Sequence, residues 1–192
     1  MQPQPDFATV VSGLPRSGTS LMMQMLHAGG LPVLADQQRV ADENNPRGYF
    51  EYEPVKRLRS DRSWLPLARG RAVKIIHLLL HDLLLDGSMR YRIIFMQRPL
   101  SEVLASQQAM LQREGRAGAD PAVLRRAFEG QLAQLHAWLS AQPDVRVLHV
   151  DYHRVLAEPL AVADALCSFL AIELDRNAMA GAVDPALHRQ RG

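Results

Sequence analysis

The sequence predicts a single α/β domain over residues 1–192, in which helices flank a mostly parallel central sheet. Short apolar runs typical of buried strands alternate with segments whose apolar residues recur at helical spacing, and this alternation favours parallel strands joined by helices. The first run is followed at once by a glycine-bounded loop and a helix, an arrangement that binds phosphate. With 192 residues, 47% of them hydrophobic, the chain is long enough to bury about two-thirds of its unfolded surface.

The first three elements are a strand, a loop and a helix. Residues 7–11 are apolar and predict the strand. The loop begins at Gly13 and ends at Gly18, and glycine suits positions where the backbone adopts a positive φ or approaches a ligand closely. Apolar residues at helical spacing then predict the helix, at Leu21, Met22, Met25 and Leu26. The dipeptide Gly29-Gly30 marks its end.

The next segment carries weaker signals. Residues 31–34 are apolar and predict a small strand, whereas the polar run 35–50 contains Asn-Pro and Arg-Gly and predicts a loop. A long loop beside a phosphate site is usually functional. The arginine-rich residues 51–63 are expected to be helical. A strand is predicted over 71–76 and a short helix over 77–85.

The second half of the chain repeats the alternation. Residues 91–97 predict a strand, and Pro99 opens the next helix at a position where its missing N–H group is not needed. Asp120-Pro121 supplies an N-cap and a first-turn proline, and the helix that follows is expected to run to about Ala141. The remaining elements are a strand over 145–150 and a helix over roughly 159–170.

The loop itself has a specific spacing. Gly13-x-x-x-x-Gly18-x-Ser20 is the pattern of a nucleotide-binding P-loop, with one departure. Thr19 stands where a P-loop NTPase has the lysine that reaches the β- and γ-phosphates, which argues against ordinary ATP or GTP chemistry. A positive charge appears instead inside the loop, at Arg16. We therefore expect a P-loop-type fold whose loop amides and helix N-terminus converge on an anion.

Ligands of parallel sheets bind at the carboxyl ends of the strands. Four groups lie at or just beyond the carboxyl ends of predicted strands, namely the loop at 13–18, Lys74 with His77, Arg98 and Asp151. We expect these groups along one edge of the sheet. Arg98 at a strand end and Ser106 on the second turn of the next helix can also face one anion, so we expect this pair to bind an anion.

The loop Leu14-Pro15-Arg16-Ser17-Gly18-Thr19-Ser20 closely resembles the 5′-phosphosulfate loop of sulfotransferases that use 3′-phosphoadenosine 5′-phosphosulfate (PAPS). In that family, an arginine and a serine at the spacing of Arg98 and Ser106 hold the 3′-phosphate. Lys74 resembles the lysine that polarises the transferring sulfuryl group. Further similar segments are residues 147–152 with Glu158-Pro159, and residues 45–51. The resemblance spans about residues 8–160.

The resemblance implies PAPS as the donor, its bisphosphate PAP as the product, and no requirement for a metal. The residues it implies for donor binding are Pro15, Arg16, Ser17, Gly18, Thr19, Ser20, Arg98 and Ser106. Arg16 and Lys74 are also expected to stabilise the negative charge that develops during in-line transfer. The acceptor is an alcohol, a phenol or an amine, carried by a small molecule, a lipid or a glycan.

Several residues are candidates for the general base that takes the acceptor's proton. Glu51 is the first choice, and Asp36, Glu43 and His77 are alternatives. In tyrosylprotein-type members the base is a glutamate in an acidic pair downstream of the loop. Here Gln37, which cannot act as a base, follows Asp36 at the corresponding place. If neither Asp36 nor Glu51 acts, the protein binds PAPS without turning it over.

Two other functions are compatible with the sequence. A P-loop kinase or NTPase would use ATP with Mg²⁺ and would need an acid at a strand end, a role that Asp151 could take. A catalytically silent nucleotide-binding protein is the second alternative, because Gln37 departs from the family pattern and the chain is short. A short chain also allows an acceptor site completed by a second copy, as in a homodimer.

Composition and charge limit the binding partners and the cellular compartment that we expect for this protein. A formal net charge of +2 gives no general signal for nucleic-acid binding. The longest apolar run, residues 75–85, is too short to span a bilayer. The first residues lack the basic and apolar regions of a signal peptide, and Cys167 is the single cysteine, which fits a reducing compartment. We expect a cytoplasmic protein.

Overall fold

The computed structural model describes residues 5–36, 48–83 and 85–184 of the chain. The strands are β1 (Phe7–Gly13), β2 (Ala72–Lys74), β3 (Arg90–Gln97) and β4 (Val145–Asp151). They form one sheet in the order β2-β1-β3-β4, and every neighbouring pair is parallel. The predicted α/β fold with a parallel sheet is confirmed. The candidate base Glu43, together with Gln37, lies outside the described residues.

Six α-helices connect or cover these strands in the described parts of the chain. They are α1 (Thr19–Ala28), α2 (Leu100–Arg113), α3 (Pro121–Ser140), α4 (Tyr152–Ala157), α5 (Pro159–Leu170) and α6 (Arg176–Gly181). The side chain of Asp120 accepts hydrogen bonds from the backbone N–H groups of Ala122 and Val123, so the predicted start of α3 is confirmed. No helix in the described ranges is long and apolar enough to cross a membrane.

Each face of the sheet is covered by its own apolar core. Successive residues of a strand point to opposite faces, and Val10 and Val11 accordingly belong to different cores. The Val11 core contains the apolar sides of α1, α5 and α6. The Val10 core contains Trp64 and the end of α3, including Leu135. All seven residues of β1 are buried, as expected for a central parallel strand.

The segment before β2 differs from the prediction. A helix is predicted over 51–63, but the structure has 3₁₀ helices over Glu53–Arg57 and Leu65–Ala68. Pro54 and Pro66 each stand at the first or second helical position, where a proline is tolerated. The apolar residues of the segment 51–63 stop at Leu58, so no apolar stripe continues that could stabilise a longer helix.

Residues 31–34 do not form the predicted strand, although they contact β2. Val33 makes an isolated parallel bridge with Ala72. The N–H of Leu34 donates to the carbonyl of Ala72 over 2.7 Å, and the N–H of Ala72 donates to the carbonyl of Pro32 over 2.8 Å. The outer edge of β2 is therefore covered by this short segment, which is too short to count as a strand.

Three further elements differ in type or were not predicted. The short helix predicted over 77–85 is a 3₁₀ helix over His77–Asp82. Helices α4 and α6 contain six residues each, too few for a helical period to appear in the sequence. Both begin at an aspartate whose side chain accepts a backbone hydrogen bond, Asp151 for α4 and Asp175 for α6. These caps are the local reason that both helices form.

Candidate functional site

Strand register brings the predicted groups to one edge of the sheet. Gly13 is paired with Met96 and Gln97 is paired with Asp151, while Val11 is paired with Lys74. The glycine loop, Lys74, Arg98 and Asp151 therefore leave the sheet on the same side, as predicted from the rule for parallel strands. The candidate site is built on these four strand ends.

The two loop glycines are both required by the backbone. Gly13 has a φ of 150°, and a Cβ there would lie 2.5 Å from Oγ of Ser17 and 2.8 Å from the carbonyl oxygen of Met96. Gly18 has a φ of 99°, and a Cβ there would lie 2.6 Å from the ring of Tyr152. Neither position accepts a side chain without a shift of its neighbours. The loop is thus held closely against β3 and α4.

The loop presents groups that suit an anion. Thr19 begins α1, and the first amides of a helix have no acceptor within the helix. Pro15 is exposed at the tip of the loop. Oγ of Ser17 is buried and has no hydrogen-bond partner within the described residues, and such a group ordinarily needs one. This hydroxyl and the close backbone suit a bound anion.

Arg98 lies in a defined position beside the loop. Its Nη1 donates to the carbonyl of Arg16 over 3.2 Å, and its Nε donates to Oε2 of Glu102 over 2.9 Å. Its guanidinium carbon lies 4.5 Å from the centre of the Tyr152 ring. The Arg98 side chain is only 7% exposed. A buried guanidinium next to a phosphate-type loop is well placed to bind a second anion.

Arg16 connects the loop to Ser106. Its backbone has a φ of 69°, a left-handed conformation that is uncommon for a residue other than glycine. Its Nε donates to Oγ of Ser106 over 3.1 Å. Arg16, Arg98 and Ser106 therefore form one cluster, in which the loop arginine contacts both members of the predicted Arg…Ser pair.

Lys74 lies on the other side of the loop, against the start of α1. Its Nζ donates to the carbonyl of Tyr49 and lies 3.5 Å from Oγ of Ser20. The same Nζ lies 3.5 Å from Oε1 of Glu51. Ser20 also donates to the carbonyl of Tyr49 over 3.4 Å. Ser20, Lys74 and Glu51 therefore lie close together. They are the predicted loop hydroxyl, the predicted lysine and the first-choice base.

The two alternative bases within the described residues have different surroundings. Oδ2 of Asp36 accepts a hydrogen bond from the N–H of Glu53 over 2.6 Å, and the N–H of Asp36 donates to the carbonyl of Glu51 over 2.8 Å. His77 is 2% exposed, and its Nε2 lies 3.0 Å from Oε1 of Gln131 on α3. Burial lowers the pKa of His77 despite this hydrogen bond.

Glu102 and Tyr152 belong to the site but were not singled out in the sequence. Burial acts to raise the pKa of Glu102, but the hydrogen bond and charge of Arg98, with His153 nearby, hold that pKa below its usual value overall. Burial raises the pKa of Tyr152. The spacing of Arg98 and Glu102, four residues apart at a helix start, is a signal that could have identified the pair.

Asp151 has a structural role at its strand end. Its side chain accepts a hydrogen bond from the N–H of Arg154 over 2.9 Å and so caps α4. Within the described residues, no group of three or more histidine, cysteine, aspartate or glutamate side chains is arranged to hold a metal ion.

Comparisons with known proteins agree with this geometry. A model of the Sulfotransferase family matches residues 90–176, from β3 to the first residue of α6. Solved bacterial structures match nearly the whole chain. The chain has a sulfotransferase fold. The resemblance predicted from the loop and the Arg…Ser pair is confirmed, and the family match supports a transferase activity.

Two solved structures illustrate the sulfotransferase fold of this chain. Sulfotransferase STF1 from Mycobacterium tuberculosis H37Rv has a TM-score of 0.61 and 18% identity, covering 93% of this chain and 72% of that one. The sulfotransferase domain of the olefin synthase from Synechococcus PCC 7002 has a TM-score of 0.54 and 16% identity, covering 97% and 88%. No curated protein matches the sequence.

Proposed function

We propose that this protein transfers a sulfuryl group from PAPS to a hydroxyl or amine acceptor. The observation that carries the proposal is the arrangement at the carboxyl edge of the sheet. The glycine loop lies between Lys74 on one side and the cluster of Arg16, Arg98 and Ser106 on the other. One cosubstrate with a phosphosulfate at one end and a separate phosphate at the other matches two such groups.

The loop and the pair of Arg98 and Ser106 would bind different parts of PAPS. The loop amides, with the hydroxyls of Ser17, Thr19 and Ser20, would hold the 5′-phosphosulfate, as a strand–loop–helix unit holds phosphate. Arg98 and Ser106 would hold the 3′-phosphate through charge-assisted hydrogen bonds. Arg16 lies at the boundary because it contacts Ser106 and belongs to the loop.

The transfer step follows from the charges near the loop. The acceptor oxygen or nitrogen attacks sulfur, the bond between sulfur and the 5′-phosphate oxygen breaks in line, and PAP leaves with that electron pair. Lys74 and Arg16 would stabilise the charge on the equatorial and leaving oxygens, which is where positioned cations contribute most. The proton lost by the acceptor goes to the general base.

Glu51 is the residue that we propose as the base. Its carboxylate is 3.5 Å from Nζ of Lys74, so it lies close to the proposed position of the sulfuryl group. Asp36 already accepts the N–H of Glu53, and the buried His77 faces Gln131. These contacts favour Glu51 over Asp36 and His77. Asp36, His77 and Glu43, the last of which lies outside the described residues, are the alternatives for mutagenesis.

A kinase or NTPase is less well supported by the same residues. Thr19 occupies the position of the P-loop lysine, and the side chain of Asp151 caps α4. We also propose a cytoplasmic location, because the single Cys167 is a buried free thiol and such chains are typical of reducing compartments.

Titration calorimetry with PAP and with ATP–Mg²⁺ tests the proposal. We expect the wild-type protein to bind PAP more tightly than ATP–Mg²⁺. Arg98→Ala should weaken PAP binding by about 2–4 kcal/mol, because a buried charged contact to phosphate is lost. Arg125→Ala is the matched control, since Arg125 is a half-exposed arginine on α3 paired with Glu129 over 3.9 Å.

The control variant should bind PAP like the wild type. Tighter binding of ATP–Mg²⁺ than of PAP would support the kinase alternative. Equal PAP affinity of Arg98→Ala and the wild type would remove the proposed 3′-phosphate site. Binding of PAP without turnover of PAPS on any tested acceptor would support the silent nucleotide-binding protein.

A further inference from the structure

We propose that Glu102 is a positioning residue, which orients Arg98 for the 3′-phosphate before the nucleotide binds. The proposal rests on the proposed function, since it concerns the same anion site. The role is distinct from phosphate binding, because Glu102 is a carboxylate and would repel a phosphate. The geometry around its two oxygens carries the inference.

Both oxygens of the Glu102 carboxylate have partners. Oε2 accepts a hydrogen bond from Nε of Arg98 over 2.9 Å, and Oε1 lies 2.8 Å from Nε2 of His153. The Glu102 side chain is 7% exposed. Three parts of the chain meet here: Arg98 directly follows β3, Glu102 lies on α2 and His153 lies on α4. A carboxylate with a partner on each oxygen is held in one orientation, and it can therefore orient the guanidinium of Arg98.

The contacts of Arg98 restrict its plane from three directions. Glu102 holds Nε, the carbonyl of Arg16 accepts from Nη1, and the ring of Tyr152 lies against the guanidinium face at 4.5 Å. A guanidinium is planar and its donors point in fixed directions, so fixing two nitrogens and one face fixes the whole group. Binding then requires less ordering of this side chain, which increases affinity.

Through its charge alone, an acid beside an anion site lowers the affinity for the anion, which is opposite to the effect of a positioning role. Removing the negative charge of Glu102 would raise the local positive potential and strengthen the binding of a bisphosphate. If Glu102 orients Arg98, the same change weakens binding, because the guanidinium loses its anchor. The direction of the change in affinity therefore separates a positioning role from a purely electrostatic one.

Titration of Glu102→Gln with PAP is the deciding experiment. The substitution keeps the shape of the side chain and removes its charge, and we expect the dissociation constant of PAP to rise about tenfold. Glu129→Gln is the matched control, because Glu129 forms an exposed ion pair with Arg125 at the same i, i+4 spacing on α3. The control should leave the dissociation constant unchanged.

A double-mutant cycle distinguishes positioning from a general loss of structure. In an Arg98→Ala background, Glu102→Gln should no longer weaken PAP binding, since no guanidinium remains to be oriented. A loss of similar size in both backgrounds would mean that Glu102 acts through the fold rather than through Arg98, and would overturn the proposal. Thermal unfolding of each variant shows which proteins are folded.

The remaining outcomes are also decisive. Unchanged or tighter PAP binding by folded Glu102→Gln overturns the positioning role and leaves the proposed function intact. Failure of the wild type to bind PAP overturns both. If Glu102→Gln does not fold, His153→Asn replaces it, because His153 is 44% exposed and anchors only one carboxylate oxygen. Weaker PAP binding by that variant is expected, and unchanged binding overturns the role.

Discussion

At the scale of single residues, the position of Glu51 beside Lys74 leads to a test of catalysis. Glu51→Gln keeps the size of the side chain but cannot accept a proton. We expect kcat to fall about 10²–10⁴-fold, the usual contribution of a general base, with PAP affinity preserved. The measurement is turnover of PAPS with an acceptor found in a panel of phenols, alcohols and amines.

Glu53→Gln is the control for this substitution. Glu53 is two residues away, and its carboxylate pairs with Lys56 over 2.7 Å rather than with Lys74. This variant should keep the kcat of the wild type. Equal kcat for Glu51→Gln and the wild type would transfer the role of base to Asp36 or His77, which Asp36→Asn and His77→Gln then separate.

His77 predicts a dependence of stability on pH. Burial lowers the pKa of His77 in the folded protein, whereas the pKa of an unfolded histidine is about 6.5. As the pH falls below that value, the unfolded chain takes up a proton that the folded chain resists. The stability associated with neutral His77 is therefore present above about pH 6.5 and is lost as the pH falls toward the folded pKa.

Urea unfolding at pH 7.5 and pH 5.5 measures this effect. The free energy of unfolding should fall less between these pH values in His77→Gln than in the wild type. His81→Gln is the control, because His81 is an exposed histidine of the same 3₁₀ helix. If His77→Gln and His81→Gln show the same pH dependence, burial of His77 does not contribute to it.

At the scale of elements, the contact between the loop and α4 makes replacement of Gly18 more destabilising than replacement of Gly30. Gly18→Ala should lower the free energy of unfolding by about 1–3 kcal/mol more than Gly30→Ala, the range for overpacking. Both positions have a positive φ, 99° and 93°, so both substitutions carry backbone strain. A Cβ at Gly18 would also meet Tyr152, whereas a Cβ at Gly30 would have no atom within 4 Å.

Urea unfolding and PAP titration of the two variants together check this prediction. PAP affinity should fall for Gly18→Ala alone, since displacement of Tyr152 also removes the ring that lies against Arg98. Equal losses of stability in the two variants would mean that the strained φ, and not the contact with Tyr152, determines the need for glycine in the loop.

The sequence predicts well those elements that have a continuous apolar run or a distinct boundary signal. Apolar runs identify β1, β3 and β4, and Asp120-Pro121 identifies the start of α3. The segment 51–63 is different, because single buried side chains such as Leu58 are held there by tertiary contacts. Contacts of that kind leave no periodic pattern, and the predicted helix is therefore wrong.

The site also combines residues that the sequence predicts with residues that only tertiary contacts bring together. Lys74, Arg98 and the loop are placed at one sheet edge by strand order alone, which a sequence of alternating elements predicts. The contact of Arg16 with Ser106 joins residues 90 positions apart, a separation at which the sequence gives no signal of contact. Glu102 and Tyr152 are ordinary helix residues by type, and only their packing against Arg98 brings them into the site.

At the scale of the whole molecule, two cores on opposite sheet faces predict where stability resides. Leu166→Ala on α5 should lower the free energy of unfolding by about 2–5 kcal/mol, because the Leu166 side chain is completely buried in the Val11 core and its loss would leave a cavity. Leu160→Ala on the same helix should change it by at most about 0.5 kcal/mol, since Leu160 is 51% exposed.

Urea unfolding measures both leucine variants, and PAP titration at a temperature where both are folded provides the second readout. The dissociation constant of PAP should be unchanged in both, because neither leucine reaches the site. Similar destabilisation by the two substitutions would contradict the division between the core and the exposed face of α5.

The bridge at the outer edge of β2 has a consequence for replacing the chain segment that lies between Leu34 and Ala72. Residues 32–34 contact Ala72, so the chain leaves the sheet and returns to it at neighbouring points. The segment between them begins and ends at neighbouring points of the sheet, and it includes Glu51 and Tyr49, whose carbonyl accepts a hydrogen bond from Lys74. Segments with adjoining ends tolerate replacement at small entropic cost. We therefore expect replacement of this segment to be tolerated when each graft keeps Glu51 and carries apolar side chains equivalent to Leu58 and Trp64.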